Sequence, residues 1–185
     1  STTAARVRGK FLDVNGQHFL IKGVAYGTFA PDATGTQFPL PAEIDHDFAL
    51  MAASGFNTVR TYTVPSEALL DTATRYGLQI IVGLAWPQHI PFLDDVQLGQ
   101  QIRENATATV RRLASHPAIL LFAVGNEIPP GIVRWHGQHR IERFLFELYQ
   151  DVKTAAPESV FTYVNFPPTE HLDLDYFDIC AFNVY

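Results

Sequence analysis

Apolar positions along this chain come in two rhythms, a short continuous one and a longer helical one, and the two alternate. At the start, Phe11-Leu12-Asp13-Val14 and His18-Phe19-Leu20-Ile21 flank Asn15-Gly16, a dipeptide suited to the positive φ angles of a tight type I′ turn, which predicts a β-hairpin. Leu20 to Tyr26 is an apolar run that meets a Gly/Pro-rich loop through Pro41; Ile44, Phe48 and Met51 then recur at helical spacing and close at Gly55. The unit repeats. Asn57 to Val64 is a β-branched run followed by a helix from near Pro65 to Gly77. Gln79 to Ala85 is the next strand, and its helix carries Leu98, Ile102, Ala106, Val110 and Leu113 on one face before Pro117. Ile119 to Val124 precedes a helix with Ile141, Phe144, Leu145, Leu148 and Val152 that ends before Pro157. Val160 to Val164 and Phe177 to Val184 are the last two strands, with a short, weakly helical link between them.

Strands that are apolar throughout, rather than alternating, are buried on both faces, as in a parallel sheet covered by helices. Alternating strands and helices build an α/β fold, either an open doubly wound sheet or a closed barrel. No Gly-rich phosphate loop follows the first strand, which argues against the dinucleotide-binding form. Polar and aromatic residues gather instead after several different strands, the way a (β/α)₈ barrel builds its active face. The expected architecture is a single domain: a hairpin region over residues 1–18, then an incomplete TIM barrel of about six β/α units over residues 19–185. A barrel needs eight strands and about 250 residues. The sequence stops at Tyr185 on an apolar strand, and the expectation is a barrel truncated after strand six.

Composition narrows the function classes. The hydrophobic fraction of 47% and charged fraction of 17% belong to an ordered globular chain. A net charge of −6 repels phosphate backbones, which makes nucleic acid an unsuitable partner. No stretch reaches the roughly 18 apolar residues of a membrane span, and Ser1 to Lys10 lacks the apolar core of a signal peptide. The one cysteine, Cys180, allows no intrachain disulfide, suggests no thiolate metal site, and is expected in the core with Met51 and the Phe set.

The chemistry gathers at the C-terminal strand ends: Tyr26; Arg60 and Tyr62; Trp86 and His89; Asn126 and Glu127; Asn165; Asn183 and Tyr185. In a parallel barrel these converge on one mouth. Glu127 follows the apolar run Leu120 to Gly125, placing a carboxylate at the rim of a low-dielectric core, a setting suited to a general acid. Asn126 can hydrogen-bond a substrate hydroxyl, and Arg60 offers a fixed charge and donor fork for a second carboxylate. Tyr26, Tyr62 and Tyr185 are rim packing or ligand contacts. Trp86 and Trp135 are sugar platforms or plugs of the barrel top. His89 lines the site or caps a loop. Arg134, His136, His139 and Arg140 lack a third metal ligand and read as a solvated helix start. No metal and no cofactor is expected.

Val124-Gly125-Asn126-Glu127-Ile128-Pro129 resembles the strand-four Asn-Glu signature of the clan A retaining (β/α)₈ glycosidases. The resemblance implies that Glu127 is the general acid/base and that Asn126 binds the 2-hydroxyl. Phe19-Leu20-Ile21-Lys22-Gly23-Val24 looks like the clan's first strand. Gly55-Phe56-Asn57-Thr58-Val59-Arg60 looks like its second, where the Arg steadies the nucleophile. Asn183-Val184-Tyr185 resembles the strand-six end, where a Tyr contacts the nucleophile. The resemblance covers nearly the whole chain. More narrowly, the chain is similar to glycosidase-like domains of bacterial proteins that also carry a membrane glycosyltransferase.

The clan's nucleophile is a second Glu on strand seven, about 5–5.5 Å from the acid/base, and no such segment follows Tyr185. Asp94, Asp95, Glu170 and Asp173 read as loop or capping acids. The resemblance therefore implies a retaining glycoside hydrolase or transglycosidase domain for a β-linked oligo- or polysaccharide, inactive as this fragment. The alternative is a non-catalytic carbohydrate-binding or interaction module of a polysaccharide biosynthetic protein. A periplasmic, extracellular or membrane-associated setting would come from a domain outside this chain. Unpaired edges at the first and sixth strands predict self-association.

Overall fold

The computed structural model describes residues 5–33 and 35–185; residues 1–4 of the expected hairpin region lie outside them. The chain opens with a three-stranded antiparallel sheet, β1 (Ala5–Arg8), β2 (Phe11–Val14) and β3 (Gln17–His18), in the order β1-β2-β3. Asn15 and Gly16 adopt φ angles of 54° and 76°, as the Asn-Gly turn demands. The hairpin differs from expectation in two ways. Its second arm is only two residues long, and a further strand, β1, pairs with β2 from Ala5↔Val14 to Arg8↔Phe11.

A six-stranded parallel sheet follows: β4 (Gly23–Tyr26), β5 (Thr58–Thr61), β6 (Gln79–Gly83), β7 (Ile119–Asn126), β8 (Phe161–Asn165) and β9 (Ile179–Phe182), neighbours in space in the order of the chain. Helices α1 (Pro41–Ala53), α2 (Glu67–Arg75), α3 (Val96–Leu113), α4 (Pro130–His136) and α5 (Gln138–Ala155) fill the crossovers, and a 3₁₀ turn at Pro167–Thr169 links β8 to β9. This is a partial TIM barrel preceded by an antiparallel hairpin sheet. β4 starts three residues later than the apolar run, because Leu20 to Lys22 is held outside the sheet: the Asn57 side chain accepts from Lys22 N at 2.8 Å and donates to Leu20 O at 2.9 Å.

Two clusters make the core. The larger lies between sheet and helices, where Val59, Ile80, Val82, Phe122, Val124 and Phe161 meet Phe48, Leu70, Val110, Ile141, Leu145 and Leu148. Each such side chain contributes about 1.5–3 kcal/mol by leaving water. The smaller cluster joins Ala5 and Leu12 of the hairpin to Leu120, Leu121 and Val160, with Phe19, Ile81 and Ile179 packed against it. Leu120, Leu121 and Val160 stand at or just before the N-terminal ends of their strands, so the hairpin sheet is the floor of the barrel. Helix starts are capped where the sequence offers an oxygen: Ser66 accepts from Leu69 N, and Asp95 accepts from Gln97 N and Leu98 N.

Cys180 is exposed, not core. It stands in register with buried Tyr163 on β8, but among the described residues no helix follows β9 to cover that face. Met51 is half-buried against the core.

Candidate active site

The distinctive geometry begins at the end of β7. Its register with β8 shifts between Ala123 and Asn126, a bulge that re-aims the residues after it. Gly125 sits where a Cβ would come within 3.0 Å of both the Trp86 and Tyr163 rings, so only glycine lets the strand pass between them. Glu127 then takes φ +36°, a left-handed conformation that costs a non-glycine residue about 1–2 kcal/mol. Neighbouring β8 pins it: Glu127 N donates to Val164 O at 2.9 Å, and Ile128 N donates to the Tyr163 hydroxyl at 2.9 Å. Burial pushes the Tyr163 phenol well above the usual tyrosine range.

This turn presents the Glu127 carboxylate to the strand-six end. Its Oε1 accepts from Asn183 Nδ2 and from the Tyr185 hydroxyl, each at 2.5 Å. That bond to Glu127 is the main reason the Tyr185 phenol is raised, although the ring itself is 95% exposed. Arg60, from β5, completes the network. Its two terminal nitrogens donate to Asn183 Oδ1 at 2.9 Å and Asn126 Oδ1 at 2.8 Å, and its guanidinium lies 4.7 Å from the centre of the Tyr62 ring. Asn183 Nδ2 also reaches Asn126 Oδ1 at 3.1 Å. The Arg60 Nε–H is buried without an acceptor among the described residues. Five of the expected site residues around Glu127 thus form one connected cluster drawn from three strand ends: Arg60, Tyr62, Asn126, Asn183 and Tyr185.

A cavity of about 260 Å³ opens beside it, lined by Arg60, Tyr62, Asn126, Thr28, Gly83 and Gln88, among others. The sequence points to His89, but His89 is exposed and does not line the cavity; its neighbour Gln88 does. The turn after Trp86, with Gln88 N bonded to Trp86 O at 2.8 Å, turns the glutamine inward.

Other expected site residues are committed elsewhere. The Tyr26 hydroxyl donates to Asp47 of α1 at 2.6 Å, and its ring packs edge-on to Phe29 and Phe48. The Asn165 side chain is buried, donating to Thr169 O and accepting from Phe166 N and the Thr169 hydroxyl, so it shapes the turn after β8. Trp86 spends its N–H on Val124 O at 2.8 Å and packs on Phe92 and Phe144, which makes it a wall of the barrel top. Trp135 is 67% exposed, its N–H fixed on Asp94 at 2.7 Å, leaving the ring face in solvent. The expected solvated cluster needs one correction. The His136 side chain is 0% exposed, edge-on to Phe92, while Arg134, His139 and Arg140 are exposed. Among the described residues no three metal-ligating side chains converge, and no helix is long and apolar enough to cross a membrane.

Residues 5–181 match the family model described as glycosyl hydrolases family 2, TIM barrel domain. The chain belongs to that family. This family 2 domain is 36% identical over 131 residues to a β-glucuronidase of Chlorocebus aethiops, a match covering 68% of the chain and 19% of that protein. It is 31% identical over 130 residues to a β-galactosidase of Aeromonas hydrophila, covering 67% of the chain and 12% of the relative. The chain thus spans a fifth or less of the length of these relatives. Among solved structures, the β-D-glucuronidase of Dictyoglomus thermophilum superposes with a TM-score of 0.80 at 22% identity, over 98% of this chain and 32% of that one. That likeness establishes the family 2 domain's fold.

Proposed function

We propose that this domain supplies the acid/base half of a retaining glycoside hydrolase or transglycosidase acting on a β-linked glycan. The observation that carries the reading is the Glu127 carboxylate, turned by its left-handed backbone into a network with Asn183, Tyr185, Asn126 and Arg60 beside an open cavity. In the first half-reaction the protonated Glu127 donates its proton to the glycosidic oxygen as the bond to the sugar breaks. In the second, its carboxylate takes a proton from water or from an acceptor sugar hydroxyl, and the enzyme returns to its starting state. Asn126, already oriented by Arg60, presents an amide to a sugar hydroxyl. Trp135, with its N–H on Asp94 and its ring face in solvent, is offered as a sugar platform.

A retaining pair needs a second carboxylate about 5–5.5 Å from the first. Among the described residues none joins the Glu127 network, so we assign the nucleophile to a barrel strand beyond β9, with Arg60 as the cation that keeps it ionised. By itself, the 185-residue polypeptide is accordingly proposed to be inactive. The β-glucuronidase and β-galactosidase relatives direct the first substrates to try. In the full-length protein, Glu127→Gln should lower kcat/KM for a β-D-glucuronide or β-D-galactoside with an alkyl or sugar leaving group by about 10²–10⁴-fold. Unchanged turnover in that variant overturns the acid/base reading; binding of β-linked oligosaccharides without turnover in the parent protein favours a carbohydrate-binding module.

A further inference from the structure

We infer that Tyr163 is a positioning residue for Glu127, acting through the peptide that joins Glu127 to Ile128; the inference rests on the acid/base role proposed for Glu127. The carboxylate reaches Asn183 and Tyr185 from a backbone held at φ +36°. Two consecutive N–H groups fix that turn, and both bond to β8. The first, Glu127 N to Val164 O, continues the ordinary strand ladder and makes no demand on the side chain at 164. The second, Ile128 N to the Tyr163 hydroxyl, exists only because residue 163 carries an oxygen at the far end of a ring.

The surroundings make this oxygen hard to replace. Ile128 and Tyr163 are both buried, so water is a poor substitute acceptor. The ring is wedged between the Gly125 backbone, where a Cβ would lie 3.0 Å from it, and Phe177, stacked at a centroid distance of 6.4 Å. Tyr163 therefore cannot follow if the peptide rotates. Without the hydroxyl, the Ile128 N–H must turn to find another partner, and that rotation swings the Glu127 side chain away from the strand-six end. The Tyr163 hydroxyl bonds the peptide N–H and not the Glu127 carboxylate, so it acts through Glu127.

A misaimed acid has a specific kinetic signature. Departure of a poor leaving group needs the proton in flight, whereas departure of a very good one does not. In the full-length protein, Tyr163→Phe is expected to lower kcat/KM, which reports the bond-breaking half-reaction, for a β-disaccharide or an alkyl β-glycoside by about 10–100-fold, while kcat/KM for the 2,4-dinitrophenyl glycoside of the same sugar falls no more than about threefold. Thr162→Val removes another buried hydroxyl of β8, the one that donates to Ile179 O, and serves as the stability control. It should lower Tm and leave the ratio of rates between the two leaving groups as in the parent. An equal loss on both substrates in Tyr163→Phe, a parental ratio, or a ratio shift matched by Thr162→Val overturns the inference. Glu127→Gln separates the two ideas. If it leaves turnover intact, the acid/base reading itself is gone; if it removes turnover of the poor leaving group while Tyr163→Phe behaves as the parent, only the role of Tyr163 falls.

Discussion

Gly83 and Gly131 both lie inside regular structure, one in β6 and one in α4, yet a methyl group added at each meets opposite surroundings. At Gly83 it would stand 2.5 Å from Thr61 O and 2.9 Å from Tyr62 backbone atoms, none of which can rotate away. At Gly131 it would meet nothing within 4 Å. Gly83→Ala should therefore cost about 1–3 kcal/mol in urea unfolding and narrow the cavity it lines. Gly131→Ala should add up to about 1 kcal/mol by restricting the unfolded chain and favouring helix. Single residues were also where sequence reasoning reached its limit. Glu127, Asn126, Arg60 and Asn183 were legible because each directly follows or ends an apolar run. Gln88 was not, since one turn decides whether it or His89 faces the cavity. Tyr163 was hidden because its position inside a buried strand reads only as core.

At the scale of elements, the alternation of runs and helical faces located every barrel strand and four of the five helices, while α4 went unseen. Seven residues with Pro129-Pro130 at the start look like a loop, although proline at the first helical turn is a start signal. What holds so short a helix is its last residue. Buried His136 accepts from Leu93 N at 3.4 Å, and Trp135 and Arg140 reach Asp94 and Leu93 O, tying α4 and the start of α5 to the loop after β6. Burial is the main cause holding the His136 pKa below its ordinary 6.5, against the pull of Asp94 and with a lesser push from Arg140. Folded His136 thus stays neutral at a pH where the unfolded chain binds a proton. The stabilising effect is complete above about pH 6.5 and is lost as pH falls toward the lower folded value. Unfolding titrations between pH 7.5 and pH 5, values chosen to bracket the ordinary histidine range, should show a decline in the parent that is shallower in His136→Gln. Equal slopes would contradict it.

For the molecule as a whole, the floor and the edges behave differently. The hairpin sheet closes the N-terminal end, with Leu12 seated on Leu120 and Leu121, so the cavity beside Glu127 opens toward the other end. Among the described residues the sheet itself is open: β4 and β9 each pair on one side only. Exposed Phe182 and Val184 sit at one of those edges. The 185-residue polypeptide is expected to self-associate in sedimentation experiments, and Cys180→Lys, which places a charge on edge strand β9, should shift it toward monomer. A parent that sediments as a monomer would count against edge pairing.

Spatial order and chain order coincide across all six parallel strands. Each of the five parallel strands after β4 therefore finds its partner already made when it leaves the ribosome, and does not wait for a segment still to be synthesised. Loop closure stays short at each step, which favours fast, sequential growth of the sheet. The growing rim during synthesis is the newest strand, which is shielded as soon as the next one emerges, while the free side of β4 stays open throughout.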